Sequence, residues 1–202
     1  STNSSRKDNP AQCETLPELI HAAALAYGDD TAVVFRDHTR PGESISFREL
    51  ERQSAELARG LIARGVGKGS RIGFIYGNGP MFAVLYAAIA RAGAIAVPVS
   101  TLTKANELVR VLRQSDVAGL IVQRSLLGKD LVERLCAALP ELAHCDADLR
   151  PREAPFLRWI ISSGESLPPA FRQLQWLVEG AAGGAAGQFV PVRRRKGKQV
   201  VI

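Results

Sequence analysis

Cysteine, histidine and tryptophan are scarce in this sequence of 202 residues, which has three, three and two of them. Cys13, Cys136 and Cys145 contain no C-x-x-C pair, and their odd number excludes a scaffold of fully paired disulfides. The sequence therefore predicts free thiols in a reducing compartment, which we expect to be the cytoplasm.

With three cysteines and three histidines, the sequence offers few candidate residues for a metal centre or a nucleophilic triad. His144 and Cys145 lie close to Cys136 in sequence, but the gap matches no common zinc spacing. The position of Cys136 in a predicted helix, beside its apolar face, instead indicates a buried thiol. His21 falls in a predicted helix and His38 in a polar turn, without triad partners. We assign no catalytic residue and no metal ligand from the sequence.

An uninterrupted apolar run long enough to cross a membrane is also missing. Residues 81–99 are the longest mainly apolar stretch, but Arg91, Gly93 and Pro98 interrupt it. This pattern predicts a helix, a turn and a buried strand rather than a membrane span. The polar residues 1–10 lack the apolar core of a secretory signal. We expect residues 1–14 to form a flexible tail.

The excess of positive charge is local. The formal net charge is +6, and residues 193–198 (RRRKGK) carry five cations with no acid among them. Because the rest of the sequence is close to neutral, the charge does not predict a nucleic-acid partner. Residues 179–202 are predicted to form a Gly/Ala-rich linker and a basic tail.

Between these tails, strand and helix signals alternate. Thr15 and Ser46 each begin an S/T-x-x-E capping pattern, which predicts helices that end at Gly28 and Gly65. A hairpin is predicted from strands at 31–35 and 44–46. Further strands are predicted at 71–76, 94–99, 119–123 and 157–162, and further helices at 80–92, 105–115 and 129–139. A short last helix is expected to carry Phe171, Leu174, Leu177 and Val178.

The later strands are continuous apolar runs, which is typical of strands buried on both faces. Their alternation with helices predicts an α/β fold, with a mostly parallel sheet and helices on both faces. We expect one such domain over residues 15–178.

Three glycine-containing turns are candidates for binding a ligand. Residues 65–70 (GVGKGS) follow a helix and precede a strand, the reverse of a phosphate loop, and predict a helix stop. Residues 76–80 (YGNGP) and 162–166 (SSGES) follow strands, where α/β sheets bind ligands. For both we favour a structural turn, and a binding role stays open. Ser163, Gly164 and Glu165 are the cofactor-binding candidates.

Several segments resemble the core motifs of a known superfamily. Residues 44–50 (SISFREL) resemble L-[ST]-[YF]-x-E-L, and residues 91–99 (RAGAIAVPV) resemble x-[AI]-G-[AG]-x-x-x-P-[VLI]. Residues 65–82 are similar to the family's intervening segment in spacing and order. The sequence thus resembles the N-terminal part of AMP-forming adenylating enzymes, above all acyl-CoA synthetases that act on fatty or related carboxylic acids.

The resemblance implies the N-terminal subdomain of the adenylate-forming ligase fold and, for a complete homologue, ATP, Mg²⁺ and coenzyme A. It also implies a phosphate loop, [ST]-[ST]-G-[ST]-[ST]-G-x-P-K-G. Residues 162–167 depart from that loop, because Glu165 stands where a hydroxyl belongs and no lysine is present. The departure predicts a truncated ligase that is inactive alone and has no cofactor of its own.

Partners and alternatives follow from the same resemblance. We expect the missing remainder of the ligase, or a second copy of the chain in a homodimer, as partner. A non-catalytic module that binds an acyl group or a nucleotide, or an oligomerising interaction fragment, are the alternatives.

Residues 157–168 (LRWIISSGESLP) also resemble a segment near the adenine in some of these enzymes, which there follows the phosphate loop. Either an internal deletion has brought this segment forward, or it is the strand that normally precedes the loop. We favour the second explanation.

Overall fold

The computed structural model describes residues 9–37 and 40–182. The helices are α1 (Leu16–Tyr27), α2 (Phe47–Ala63), α3 (Pro80–Arg91), α4 (Ala105–Gln114), α5 (Leu131–Ala138) and α6 (Gln175–Ala182), with 3-10 helices at Pro10–Gln12 and Pro140–Ala143. The strands are β1 (Thr31–Asp37), β2 (Arg40–Ser46), β3 (Arg71–Ile75), β4 (Ile95–Pro98), β5 (Gly119–Val122), β6 (Ser125–Leu126), β7 (Lys129–Asp130), β8 (Trp159–Ser162) and β9 (Phe171–Gln173). His38 and the basic tail lie outside the described residues.

A parallel sheet of five strands forms the centre of the described fold, in the order β4-β3-β5-β8-β9. Successive residues of β5 enter different cores: Leu120 and Val122 pack with helices α4 and α5, whereas Ile121 packs with α2 and α3. The sheet is therefore covered on both faces. The predicted α/β fold with a mostly parallel sheet is confirmed.

Local signals explain where the helices begin. The Thr15 hydroxyl accepts a hydrogen bond from the Glu18 amide at 3.3 Å, and the Ser46 hydroxyl accepts one from the Glu49 amide at 3.2 Å. Each of these bonds satisfies an amide that has no partner within its helix. Both predicted caps are confirmed.

Two elements differ from the prediction. Phe171 lies in β9 rather than in a helix, because its backbone pairs with Ile160 of β8 and its side chain enters the core with α4 and α5. A small hairpin, β6–β7, precedes α5, so that helix begins at Leu131 instead of residue 129. The turn of the hairpin holds Leu127 and Gly128, both at positive φ.

An ion pair joins the helices of the two family-like motifs. Glu51 of α2 pairs with Arg91 of α3, and the two side chains are only 20% and 15% exposed. His21 of α1 contacts the same carboxylate at 3.1 Å. The first three helices are thus tied together at one carboxylate.

Helices α2 and α6 approach each other closely at Gly60. A Cβ atom on Gly60 would lie 2.4 Å from the carbonyl oxygen of Leu177. We expect Gly60→Ala to lower the free energy of unfolding by about 1 to 3 kcal/mol through overpacking, although alanine has the higher helix propensity. Urea denaturation measures the change.

Gly67→Ala is the matched control, because no atom would lie within 4 Å of the added carbon. Its effect should stay within about 0.5 kcal/mol. Equal stability of both variants would show that α6 does not pack against Gly60.

The Glu49 carboxylate stabilises the fold in a pH-dependent way. Hydrogen bonds from Arg52, at 2.6 and 2.8 Å, lower the pKa of Glu49 from 4.5 to about 2, and Gln53 contributes a further bond. A lowered folded-state pKa stabilises the protein above the unfolded pKa, and this contribution is lost as pH falls towards about 2. Stability of the wild type should therefore fall more steeply than that of Glu49→Gln between about pH 4.5 and 2. Thermal unfolding across this range measures both; parallel curves would contradict the assignment.

Candidate functional site

The ends of the parallel strands place several turns at one edge of the sheet. Strands β3, β4, β5 and β8 run in the same direction, so their carboxyl ends meet at the same edge. The predicted turns at 76–80 and 162–166 follow β3 and β8 and therefore lie at this edge, with β5 between them.

Hydrogen bonds join these turns through β5. The Gly77 amide donates to Oε1 of Gln123 at 2.9 Å, and the Ser162 hydroxyl donates to the Val122 carbonyl at 2.8 Å. The Tyr76 hydroxyl shares a hydrogen bond with Ser163, and burial raises the pKa of Tyr76. The structure thus connects two turns that the sequence presented as separate candidates.

The 162–166 turn is mainly exposed, and some of its groups are bonded within the protein. Ser163 is half-buried, whereas Gly164 and Glu165 are exposed. The Gln173 side chain donates to the Gly164 carbonyl at 2.8 Å, which ties the turn to β9. A groove of about 590 Å³ lies beside the turn, with Trp176 and Glu179 on its far side.

Arg124 is a neighbour of this turn that the sequence reasoning missed. Its side-chain carbons lie 3.2 to 3.7 Å from the position that a Cβ on Gly164 would occupy. Its guanidinium pairs with Asp130 at 2.9 Å, and both side chains are about one-third exposed or less. The only available signal was the position of Arg124 directly after a predicted strand.

These groups do not fit a triphosphate. Glu165 places a carboxylate in the exposed turn, and the charge of Arg124 is compensated by Asp130. A triphosphate site needs cations whose charge is not already compensated and no carboxylate beside the phosphates. Within residues 9–37 and 40–182, no group of three or more His, Cys, Asp or Glu side chains is placed to hold a metal ion.

A cavity of about 530 Å³ opens beside the 76–80 turn. Its lining comes from the ends of β3 and β4, from β1, from α3 and from the β6–β7 hairpin. Aromatic and aliphatic side chains dominate its walls, and among the described lining residues none is charged. This position matches the expected ligand position in open α/β sheets.

The remaining sequence candidates have structural roles. Gly65 and Gly69 have φ of 81° and 87° between α2 and β3, which confirms the predicted helix stop. Cys13, Cys136 and Cys145 are free thiols. Burial is the main cause that raises the pKa of Cys136 and of Cys145, so both thiols stay protonated near neutral pH. In the described part of the chain, the helices are too short or too polar to cross a bilayer.

Comparison with known proteins decides the family. Residues 20–170 match the family model described as AMP-binding enzyme. The chain belongs to the AMP-binding enzyme family. It corresponds to the N-terminal part of adenylate-forming ligases.

Two curated relatives are identical to this chain at about a third of the aligned positions. YngI of Bacillus subtilis, named as an acyl-CoA synthetase, is 33% identical over 151 residues, which are 74% of this chain and 27% of YngI. The salicyl-AMP ligase of Mycobacterium tuberculosis is 32% identical over 165 residues, 77% of this chain and 29% of that protein. The chain thus spans between a quarter and a third of the length of these two relatives.

Solved structures support the fold. Acetoacetyl-CoA synthetase from Streptomyces lividans matches with a TM-score of 0.67 at 24% identity, over 81% of this chain and 25% of that protein. The anthranilate CoA ligase AuaEII matches with a TM-score of 0.63 at 18% identity, over 84% of this chain and 29% of that protein. The predicted N-terminal subdomain of the adenylate-forming ligase fold is confirmed.

The Gln123 side chain should be important for the carboxyl edge of the sheet. Gln123→Met keeps the shape of the side chain but leaves the Gly77 amide without its acceptor, which we expect to cost about 1 to 2 kcal/mol of stability. Gln114→Met, on the exposed end of α4, is the control and should change stability by less than about 0.5 kcal/mol. Chemical denaturation compares the two variants, and equal values would contradict the proposed bond.

Proposed function

We propose that this chain is the N-terminal part of an ATP-dependent fatty acyl or carboxylic acid–CoA ligase and serves as its scaffold, without forming an acyl-adenylate by itself. The reaction of the whole ligase is carboxylate plus ATP to acyl-adenylate and pyrophosphate, followed by transfer of the acyl group to coenzyme A. The names of relatives such as YngI and the medium-chain acyl-CoA ligase ACSF2 of Mus musculus support this reaction class.

The hydrogen bonds of the 162–166 turn and the ion pair of its neighbour Arg124 are the observation that supports the scaffold role. The Ser162 hydroxyl, the Ser163 side chain and the Gly164 carbonyl are already bonded to β5, Tyr76 and β9, and Nη2 of the cationic neighbour Arg124 is paired with Asp130. Stabilising the charge on phosphoryl oxygens requires free cations or amides, and a metal ion in most phosphoryl chemistry. We infer that ATP, Mg²⁺ and coenzyme A bind to groups supplied by the remainder of the ligase.

The proposed location follows from the thiols. Cys13, Cys136 and Cys145 are unpaired, which supports a reducing compartment such as the cytoplasm. The excess of positive charge lies in residues 193–198, and the rest of the sequence is close to neutral. The proposed partner is therefore the remainder of the ligase rather than a nucleic acid.

Purified chain incubated with ATP, Mg²⁺ and octanoate or salicylate should release no pyrophosphate above the rate without protein. A coupled pyrophosphate assay measures this, with the salicyl-AMP ligase of Mycobacterium tuberculosis and salicylate as the positive control. Carboxylate-dependent release by the chain alone would refute the scaffold proposal.

A chimera tests the positive half of the proposal. Residues 16–178 of this chain would replace the matching N-terminal segment of YngI, and we expect the chimera to retain carboxylate-dependent pyrophosphate release. The same chimera with Gly60→Ala is the matched variant, and it should lose activity at a lower temperature. A folded chimera that is inactive at all temperatures would contradict the scaffold role.

A further inference from the structure

The cavity beside the 76–80 turn lies where the sheet changes its direction of winding. The connection that leaves β3 leads through α3 to β4 on one side, while β5 pairs with the other side of β3 and continues to β8. Helix α3 packs on one face of the sheet, and α4 and α5 pack on the other. Connections that diverge in this way leave a crevice outside the carboxyl ends of the strands. The cavity occupies that crevice.

The walls of the cavity are fixed by contacts elsewhere in the fold. The ring of Phe82 packs edge-on against the fully buried ring of Phe74, with the centroids 5.0 Å apart. Tyr76 is largely buried and bonded to Ser163. Walls that are already ordered lose little entropy when a ligand binds.

Two exposed leucines stand at the rim. Leu102 is 78% exposed and Leu127 is 71% exposed, the two highest values among the large exposed apolar side chains of the described residues. Leu102 is held by its loop, because Arg134 donates to the carbonyl oxygens of Thr101 at 2.5 Å and Thr103 at 3.3 Å. These two bonds hold the backbone on either side of Leu102, so its exposure does not come from a poorly anchored loop.

Leu127 is unfavourable in two respects: its backbone has a positive φ, and its apolar side chain is exposed to water. It has φ of +50° and is followed by Gly128 at +73°, in the two-residue turn of the β6–β7 hairpin. Turns of this kind favour Asn-Gly or Asp-Gly, because a leucine is strained at positive φ. An exposed, strained leucine at the mouth of a cavity with mainly apolar side chains points to a contact that the described residues do not make among themselves.

The lining also indicates the charge of the ligand. Three aromatic rings, those of Phe35, Tyr76 and Phe82, form its walls, and Asn78, Ser100 and Thr101 offer polar side chains among the lining residues that the structure describes. Because none of the described lining residues is charged, a charged group placed there would lose part of its hydration without an opposite charge in that lining. An uncharged ring with one hydroxyl or carbonyl group satisfies both the apolar walls and the polar side chains.

We propose that this cavity, with Leu102 and Leu127 as its rim, is a binding site for an uncharged aromatic molecule that carries one hydrogen-bonding group. The walls come from several elements that meet around a concave site of about 530 Å³, a volume suited to a small molecule. This proposal goes beyond the ligase function and does not depend on it, since the site lies within this chain and involves no ATP.

Titration of the ¹⁵N-labelled full chain with 4-propylphenol tests the proposal. Amide chemical shifts should change in a saturable way at residues 76–78, 98–102 and 125–128. The anion 4-propylbenzoate should bind about ten-fold more weakly, because desolvating its carboxylate is not compensated. Absence of saturable shifts, shifts elsewhere, or equal or tighter binding of 4-propylbenzoate would overturn the proposal.

Two rim variants separate binding from folding. Leu127→Asn suits the turn better than leucine, so the melting temperature should stay equal or rise while the affinity for 4-propylphenol falls at least about five-fold. Leu102→Ala should weaken binding to a similar extent, whereas the control Leu25→Ala, an exposed leucine on α1, should bind as the wild type does. Unchanged affinity in both rim variants would overturn the assignment of the rim.

Discussion

Parallel pairing of strands that are buried on both faces is the constraint on which the rest of this structure depends. A strand covered on both sides needs a partner on each edge, and its connections must cross over through helices. Register fixes the result: Ile72, Gly119 and Trp159 lie side by side across β3, β5 and β8. The 76–80 and 162–166 turns, which are far apart in sequence, therefore lie at the same edge.

Close packing at glycines makes this arrangement possible. The added carbon of an alanine at position 119 would lie 2.0 Å from the ring of Trp159. The indole can therefore cover β5 only because Gly119 has no side chain. Gly60 of α2 likewise lets the backbone of α6 approach closely, because it has no side chain. Both glycines are needed for close approach and not for a positive φ.

The sequence predicted those elements whose signals are local. Capping by Thr15 and Ser46, and the apolar runs of β3 and β5, depend on neighbouring residues, and each appears in the fold near its predicted place. The β6–β7 hairpin was missed because Leu127-Gly128 lacks the usual turn residues. Strand β9 was missed because its three residues form a strand only through pairing with β8.

The site was less predictable than the fold for a related reason. The sequence placed the 76–80 and 162–166 turns after strands, but strand order decides which turns are neighbours. Arg124 contacts Gly164 only because β5 lies beside β8. Likewise, the rim of the cavity joins Leu102, which follows β4, to Leu127, which follows β5. No pattern within either segment shows that the two leucines line the same cavity.

The segment after β8 completes the scaffold and is not a mere extension of it. The ring of Trp176 lies 4.0 Å from the guanidinium of Arg64 and 4.7 Å from that of Arg172, and Arg64 also donates to the Trp176 carbonyl at 2.6 Å. Trp176 packs beside Trp159, with centroids 6.1 Å apart, and Leu177 is fully buried against α2. Cation–π contacts of this kind stabilise a partly buried cation.

The face of the sheet that α2 and α3 cover is therefore closed by residues that come after the 162–166 turn. That turn is held between two packed elements, β8 and β9, and this explains why the Ser162 hydroxyl and the Gly164 carbonyl are already bonded within the protein.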